Sequence, residues 1–287
     1  MKAHQSQYPI TVMARVLGVS KGGYYEWYKR TPSLRHINRT SNEVAVKAAH
    51  AKTHETYGYQ RLHAELQSEN HHMSQYQVRT IRKNLDIRCK QTKKFKATTN
   101  SAHNLPVADN LLNQTFTPTK PHEAWVSDIT YISTDEGWLY CAGIKDVYTC
   151  EIVGYALGER MTKGLCIAAL QMALIHHKPA AGLILHSDRG SQYCSKDYQS
   201  LLCNSGLTPS MSRKGNCWDN APMESFWGSL KNELVHHKRY KTRQQAVNDI
   251  THYIEIFYNR IRRHTRLGNV SPAQFSKQFE LKQVQNL

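Results

Sequence analysis

Three carboxylates stand at positions that secondary structure alone gives little reason to fill with acids. Asp128 lies in the middle of Val126-Ser127-Asp128-Ile129-Thr130-Tyr131, a run otherwise rich in strand formers. Aspartate is depleted in strands because its short side chain competes for backbone hydrogen bonds. Asp188 closely follows the apolar run Leu183-Ile184-Leu185, and Glu224 falls in the first turn of a helix opening near Asn220, with Pro222 tolerated at its start. Taken singly, Asp188 could make an Asx turn before Gly190, and Glu224 could complement a helix dipole. Taken together, acids at a strand middle, a strand end and a helix start could converge at one edge of a sheet, where open α/β folds bind ligands. An all-oxygen set of this kind suits two Mg²⁺ ions, or Mn²⁺ in their place, as hard cations that take phosphate oxygens. Two such ions about 3.5–4 Å apart clamp the attacking and leaving oxygens of an in-line phosphoryl displacement.

The elements that must position these acids read as follows. Trp125 to Ile132 is a strand, Asp135-Glu136-Gly137 a turn, Trp138 to Val147 a second strand and Cys150 to Leu157 a third. A helix follows over about 163–177, a short buried strand at 183–185, a helix over 195–203, an extended stretch at 207–211, and the helix from Asn220. Hairpin strands followed by alternating strand and helix imply an α/β sheet of mixed direction, the element order of an RNase H-like fold. Lys231 is seven residues after Glu224, almost two full turns, so both side chains point within about 20° of one direction. Met223, Trp227, Leu230 and Leu234 form a separate apolar stripe that can pack on the sheet, leaving Lys231 to hold a phosphate beside the metals.

Upstream, the pattern is helical. Residues 10–28 read as two short helices around Gly18-Val19, with Ser20 capping the second, a helix-turn-helix silhouette assigned to residues 1–40. Residues 41–98 form a second module: helices over 43–52 and 60–69, then a third capped by Ser74 that carries Arg79, Arg82 and Lys83 on its outer side. Its basic continuation holds Lys90, Lys93, Lys94 and Lys96, all candidate DNA contacts. A Pro-punctuated linker over 99–120 separates it from residues 121–287, whose part beyond about 236 reads as a basic helical C-terminus.

Charge is segregated in the same way. The chain of 287 residues carries +16 overall, distributed as +11 over residues 1–110, −2 over 111–228 and +7 over 229–287. A near-neutral centre between two basic arms suits a protein that handles a polyanion such as double-stranded DNA. Seven cysteines without a Cys-x-x-Cys pair argue against a disulfide framework or structural zinc and fit a reducing cytosol. No apolar run approaches the ~18 residues of a membrane span, and the first ten residues lack the apolar core of a secretory signal. No Gly-x-x-x-x-Gly-Lys-Ser/Thr loop is present, so nucleotide-driven chemistry is not expected.

Asp188 and Glu224 have 35 residues between them, which resembles the D-D-35-E spacing of retroviral integrases and many transposases. The strings His186-Ser187-Asp188-Arg189-Gly190-Ser191-Gln192-Tyr193 and Ser212 to Phe226, containing Asp219-Asn220-Ala221-Pro222-Met223-Glu224, resemble the insertion-sequence transposases of the IS-three family. Trp125 to Tyr131, Tyr57-Gly58-Tyr59, Tyr258-Asn259-Arg260, His264 and Ser271-Pro272 extend the likeness over nearly the whole chain. The resemblance implies an integrase-type catalytic core in which Asp128, Asp188 and Glu224 hold the metals. It also implies cleavage at element ends and joining of the freed 3′-OH to DNA, and Lys231 at a spacing found in that family. Lys214-Gly215-Asn216 would close over DNA. The chain resembles the downstream of two reading frames, so a homo-oligomer on DNA and a possible upstream-frame partner are expected, in the bacterial cytosol with the nucleoid. The rival readings are an RNase H-like nuclease that does not join strands and a DNA-binding regulator without catalysis.

Overall fold

The computed structural model describes residues 1–90, 106–114, 116–213 and 217–285. Its centre is a five-stranded sheet of order β3-β2-β1-β4-β5, built from β1 (Ala124–Thr134), β2 (Gly137–Asp146), β3 (Ile152–Gly158), β4 (Ile184–Ser187) and β5 (Thr208–Met211). β1, β2 and β3 are antiparallel neighbours, whereas β4 runs parallel to β1 and β5 parallel to β4. The mixed direction follows from connection length: a tight turn returns β1 to β2, while a parallel pair needs a helical crossover. β3 begins at Ile152 rather than at Cys150, because Cys150 takes a left-handed φ of 61° at the end of the preceding turn.

The sheet separates two apolar clusters. On one face, Trp125, Ala142, Ile144 and Val153 meet α6 (Lys163–His177) and α7 (Lys196–Asn204). On the other, Val126, Ile132, Leu139 and Cys141 meet α8 (Ala221–Glu233), α9 (Arg243–His252) and a π-helical stretch, Tyr253–Ile261. Alternation along β1 therefore aims Val126 and Asp128 at the α8 face and Trp125 and Ser127 at the α6 face. Gly143, the ladder partner of Asp128, lets α8 approach: a Cβ there would lie 2.6 Å from Met223 Cε and 2.9 Å from Trp227 Cη2. Gly143→Ala is thus expected to destabilise the fold by about 1–3 kcal/mol through overpacking, read as a lower urea midpoint with an unchanged slope.

The helical half contains α1 (Ile10–Val16), α2 (Lys21–Lys29), α3 (Leu34–Lys52), α4 (Tyr59–Ser68) and α5 (Gln75–Asn84). Ser20 caps α2, and Ser74 with Gln77 forms a full capping box on α5. α3 starts nine residues before the expected Glu43, because Ser33 accepts from the His36 amide, and the helix runs through the division placed near residue 40. Val46, Leu62, Leu66 and Val78 make the core of α3–α5.

This core is latched to the C-terminal segment. The buried Tyr57 hydroxyl accepts from the Arg263 amide at 2.6 Å and donates to the Ile261 carbonyl at 3.2 Å, while Arg263 Nε pairs with Glu65 at 2.6 Å. The basic C-terminus is consequently not one exposed surface: Arg262 and Arg263 are turned inward. Asn259 uses both ends of its amide on the backbone of Ile152, at 3.0 Å each, extending the edge of β3. α10 (Pro272–Gln285) closes the described chain. Part of the expected linker is also docked, with Asp109 accepting from the Met211 amide of β5 and Leu111 donating to Ser210 Oγ.

Candidate active site

β1 and β4 bring two of the three acids together. Their parallel register pairs Val126 with His186, so Asp128, in the middle of β1, and Asp188, just past the carboxyl end of β4, each lie two residues beyond that pair on adjacent strands, which lie ~4.8 Å apart. β4 stops at Ser187, so Asp128 sits where β1 has lost its neighbour on that side. That explains an aspartate in mid-strand: the ladder is already open there.

α8 supplies the third acid. Glu224, Trp227 and Lys231, spaced i, i+3 and i+7, share one stripe of the helix. Trp227 Nε1 donates to Asp128 Oδ2 at 3.1 Å, and the Ile129 amide to Asp128 Oδ1 at 2.8 Å. Asp188 Oδ1 accepts from the Gly190 amide at 2.9 Å, an Asx turn coexisting with the strand-end position. Burial first, then the charge of Asp188 and more weakly that of Glu224, push the Asp128 carboxyl well above the ordinary carboxylate range, against the two N–H donors. Burial raises Glu224 as well.

The donor chemistry fits a divalent cation. The acids are oxygen-only and repel one another, and the buried Asn220 Oδ1, four residues before Glu224, has no hydrogen-bond partner. Among the described residues no three acidic, His or Cys side chains already converge as a cage, in keeping with Asp128 and Asp188 being turned onto N–H donors.

Lys231, expected to stand clear of the apolar stripe and hold a DNA phosphate, is instead covered. It is only 3% exposed, with its ammonium 5.0 Å from the centre of the Tyr131 ring, which meets Trp138 edge to face. Burial lowers its pKa to about 8, with Asp128 pulling the other way. Helical spacing gave its direction correctly but not its cover, which comes from the β1–β2 hairpin.

Two supporting residues carry little signal in the sequence. Asp219, fully buried in the 3₁₀ turn before α8, accepts from the Arg213 amide and guanidinium, Gln114 and Asn110. The Arg213 guanidinium holds its carboxyl far below the usual range. A depressed pKa adds stability that is complete above the unfolded value of about 3.9 and is lost as pH falls below it. Asp219→Asn should therefore flatten the acid limb of a melting-temperature profile between about pH 5 and 2. His186 is the second: its ring bridges Ser210 Oγ at 2.8 Å and Ser212 Oγ at 3.0 Å, and burial lowers it to about 4, so a neutral ring ties β4 to β5 just before Asp188. Both stand in the strings that carry the family resemblance, but nothing along the chain marks them as buried supports.

The other proposed DNA contacts divide. Arg79 and Lys83 are exposed on α5. Arg82 is half-buried, with its guanidinium on Cys89 Sγ, and Lys90 is exposed but paired with Glu55 at 3.1 Å. Lys93, Lys94, Lys96 and Lys214 lie outside the described residues.

Residues 118–217 and 224–279 match family models described as integrase core domain, and residues 38–95 match an HTH-like domain. The transposase InsF of insertion sequence IS3A from Escherichia coli (strain K12) is 40% identical over 277 residues, covering 96% of each chain. The chain belongs to the IS3 family of transposases. An uncharacterized 31 kDa protein of insertion element IS600 from Shigella sonnei is 58% identical over 267 residues, 93% of this chain and 98% of that one. The HTLV-2 integrase catalytic core domain in complex with magnesium aligns with 56% of this transposase and 99% of its own length, at a TM-score of 0.45 and 14% identity. The transposase is accordingly an enzyme of the polynucleotidyl-transfer type with an integrase core behind a helix-turn-helix-like region. Among its described residues, no helix is long and apolar enough to cross a membrane.

Proposed function

We propose that this transposase cleaves the ends of its insertion sequence and joins the freed 3′-OH to a second phosphodiester, using Asp128, Asp188 and Glu224 to hold two Mg²⁺ ions or Mn²⁺ in their place. The observation that carries this reading is the juxtaposition of Asp128, in mid-β1, with Asp188, just past the end of the parallel strand β4, with the Glu224 stripe of α8 facing them. Divalent ions bound there would supply charge neutralisation and an activated water or hydroxyl. Trp227 fixes the Asp128 rotamer through its N–H, and the Ile129 amide holds the other oxygen. Lys231 adds positive charge at the inner wall of the site, where it would meet a phosphate already seated against the acids. Arg79 and Lys83 offer backbone contacts from α5, with Lys90, Arg82, Lys93, Lys94, Lys96 and Lys214 as further candidates. Work in the bacterial cytosol, as a homo-oligomer on DNA and with an upstream-frame product as partner, accords with this reading.

The deciding experiment incubates a labelled element end and a target plasmid with Mg²⁺, first with this chain alone and then with the upstream-frame product added. Joined product is expected; hydrolysis without joining in both arms would return the protein to the nuclease reading. For the grip on DNA, the log–log salt slope of binding should become shallower by about 1 for each phosphate that the protein ceases to neutralise. Arg79→Gln with Lys83→Gln should show that change across unrelated sequences, and an unchanged slope would remove α5 from the interface.

A further inference from the structure

Lys145 is a buried charge that stability does not account for. It lies on β2, 6% exposed, and its ammonium donates to the Pro222 carbonyl at 3.0 Å. Among the described residues it has no carboxylate partner within ion-pair distance; the titratable groups that act on it are the Cys150 thiol and the positive Arg262 and Arg266. Burying an ammonium without a counter-ion is costly. Placing it at the first turn of a helix, where the dipole favours anions, adds to that cost. An apolar side chain of similar length would fill the same space.

Its position gives the charge a use. On the sheet, Lys145 is the ladder partner of Val126, two residues before Asp128. On α8, its acceptor Pro222 is two residues before Glu224. One hydrogen bond therefore joins the strand that neighbours one acid to the helix turn that carries another, at the same offset from each. A second tie, from Asn220 Nδ2 to the Ser127 carbonyl at 3.0 Å, joins β1 to the residue preceding α8. The Lys145 bond completes a two-point attachment of the start of α8.

We propose that Lys145 is a positioning residue, whose bond to the Pro222 carbonyl sets how far the first turn of α8 stands from β1 and hence the Asp128–Glu224 separation. The proposal rests on the carboxylate reading given above, but its first test does not. In metal-free protein, Lys145→Met keeps the bulk and removes the donor, so backbone amides of Ala221–Phe226 should exchange with deuterium faster while the melting temperature holds or rises. Lys145→Arg, which retains a donor, should restore much of the protection. In the same proteins, Mn²⁺ affinity measured by electron paramagnetic resonance should weaken about 10- to 100-fold in Lys145→Met, the range for residues that orient metal ligands. Wild-type exchange in the first turn of α8 overturns the proposal, as does a fall in melting temperature with exchange raised evenly over the whole chain. Asp128→Asn is the control that separates the two readings. If it binds Mn²⁺ like wild type, the metal assignment fails, and the exchange data alone decide whether Lys145 braces the helix.

Discussion

Asp128→Asn, Asp188→Asn and Glu224→Gln are each expected to lose joining by about 10³-fold or more, equivalent to about 4 kcal/mol of transition-state stabilisation. DNA binding should stay near wild type, because Arg79 and Lys83, the exposed basic residues of α5, are on a different element from the acids. Asp128→Asn carries a second, opposite signature. A carboxyl whose pKa is raised on folding loses stability as pH climbs from the unfolded value of about 3.9 through the folded one. Burial and Asp188 raise Asp128 in this way. The amide variant should therefore melt higher than wild type at neutral pH while being inactive, and the gap should close towards pH 4. Substantial joining by any one of the three variants would remove that residue from the metal set. An inactive Asp128→Asn that melted lower than wild type would point to a damaged fold instead.

The second large effect concerns stability. Arg262 grips Glu233 through Nε at 2.9 and 3.1 Å and Nη2 at 2.8 Å, with both side chains almost wholly buried, and Tyr253 donates to the same carboxylate at 2.8 Å. Arg262→Ala strands the Glu233 charge in that setting and is expected to cost about 3–5 kcal/mol in denaturant unfolding. Replacing both partners, Arg262→Met with Glu233→Leu, should recover most of the loss, since a buried ion pair exchanged for apolar residues is often neutral or stabilising. A double variant as unstable as Arg262→Ala would show that Arg262 acts through its stacking near Tyr258 rather than through the pair.

Local residue patterns carried much of this architecture. The span of α6 coincides with the helix read over about 163–177, and Ser20 and Ser74 mark the starts of α2 and α5 through side-chain oxygens that reach only three residues ahead. Asp128 was conspicuous because a strand offers an aspartate nothing, and the parallel register with β4 supplies the missing reason. What local pattern does not encode is which charged residues turn inward. Arg263 reaches Glu65 across 198 residues and Lys145 reaches Pro222 across 77, so their burial depends on partners that no window along the chain contains. Lys231 shows the boundary between the two kinds of information. Its direction follows from helix geometry, whereas the Tyr131 ring over it belongs to a strand 100 residues away. Trp227 was legible as core and is core, but its single polar atom serves Asp128.

The latch of Tyr57 and Glu65 onto Arg263 has a metrical consequence. Two halves joined only by a flexible tether would scan a cloud of separations, and the bond to be cut would vary relative to the sequence gripped. A helical module clasped to the C-terminal segment at Arg263 would act instead as a caliper. If that module holds the element end as proposed, the offset between the bases it grips and the phosphodiester brought to Asp128 would be a property of folded protein, counted in base pairs and insensitive to the length of the chain between the halves. Loosening the clasp, as in Arg263→Ala, should blur that offset into a ladder of neighbouring cuts before it abolishes cutting.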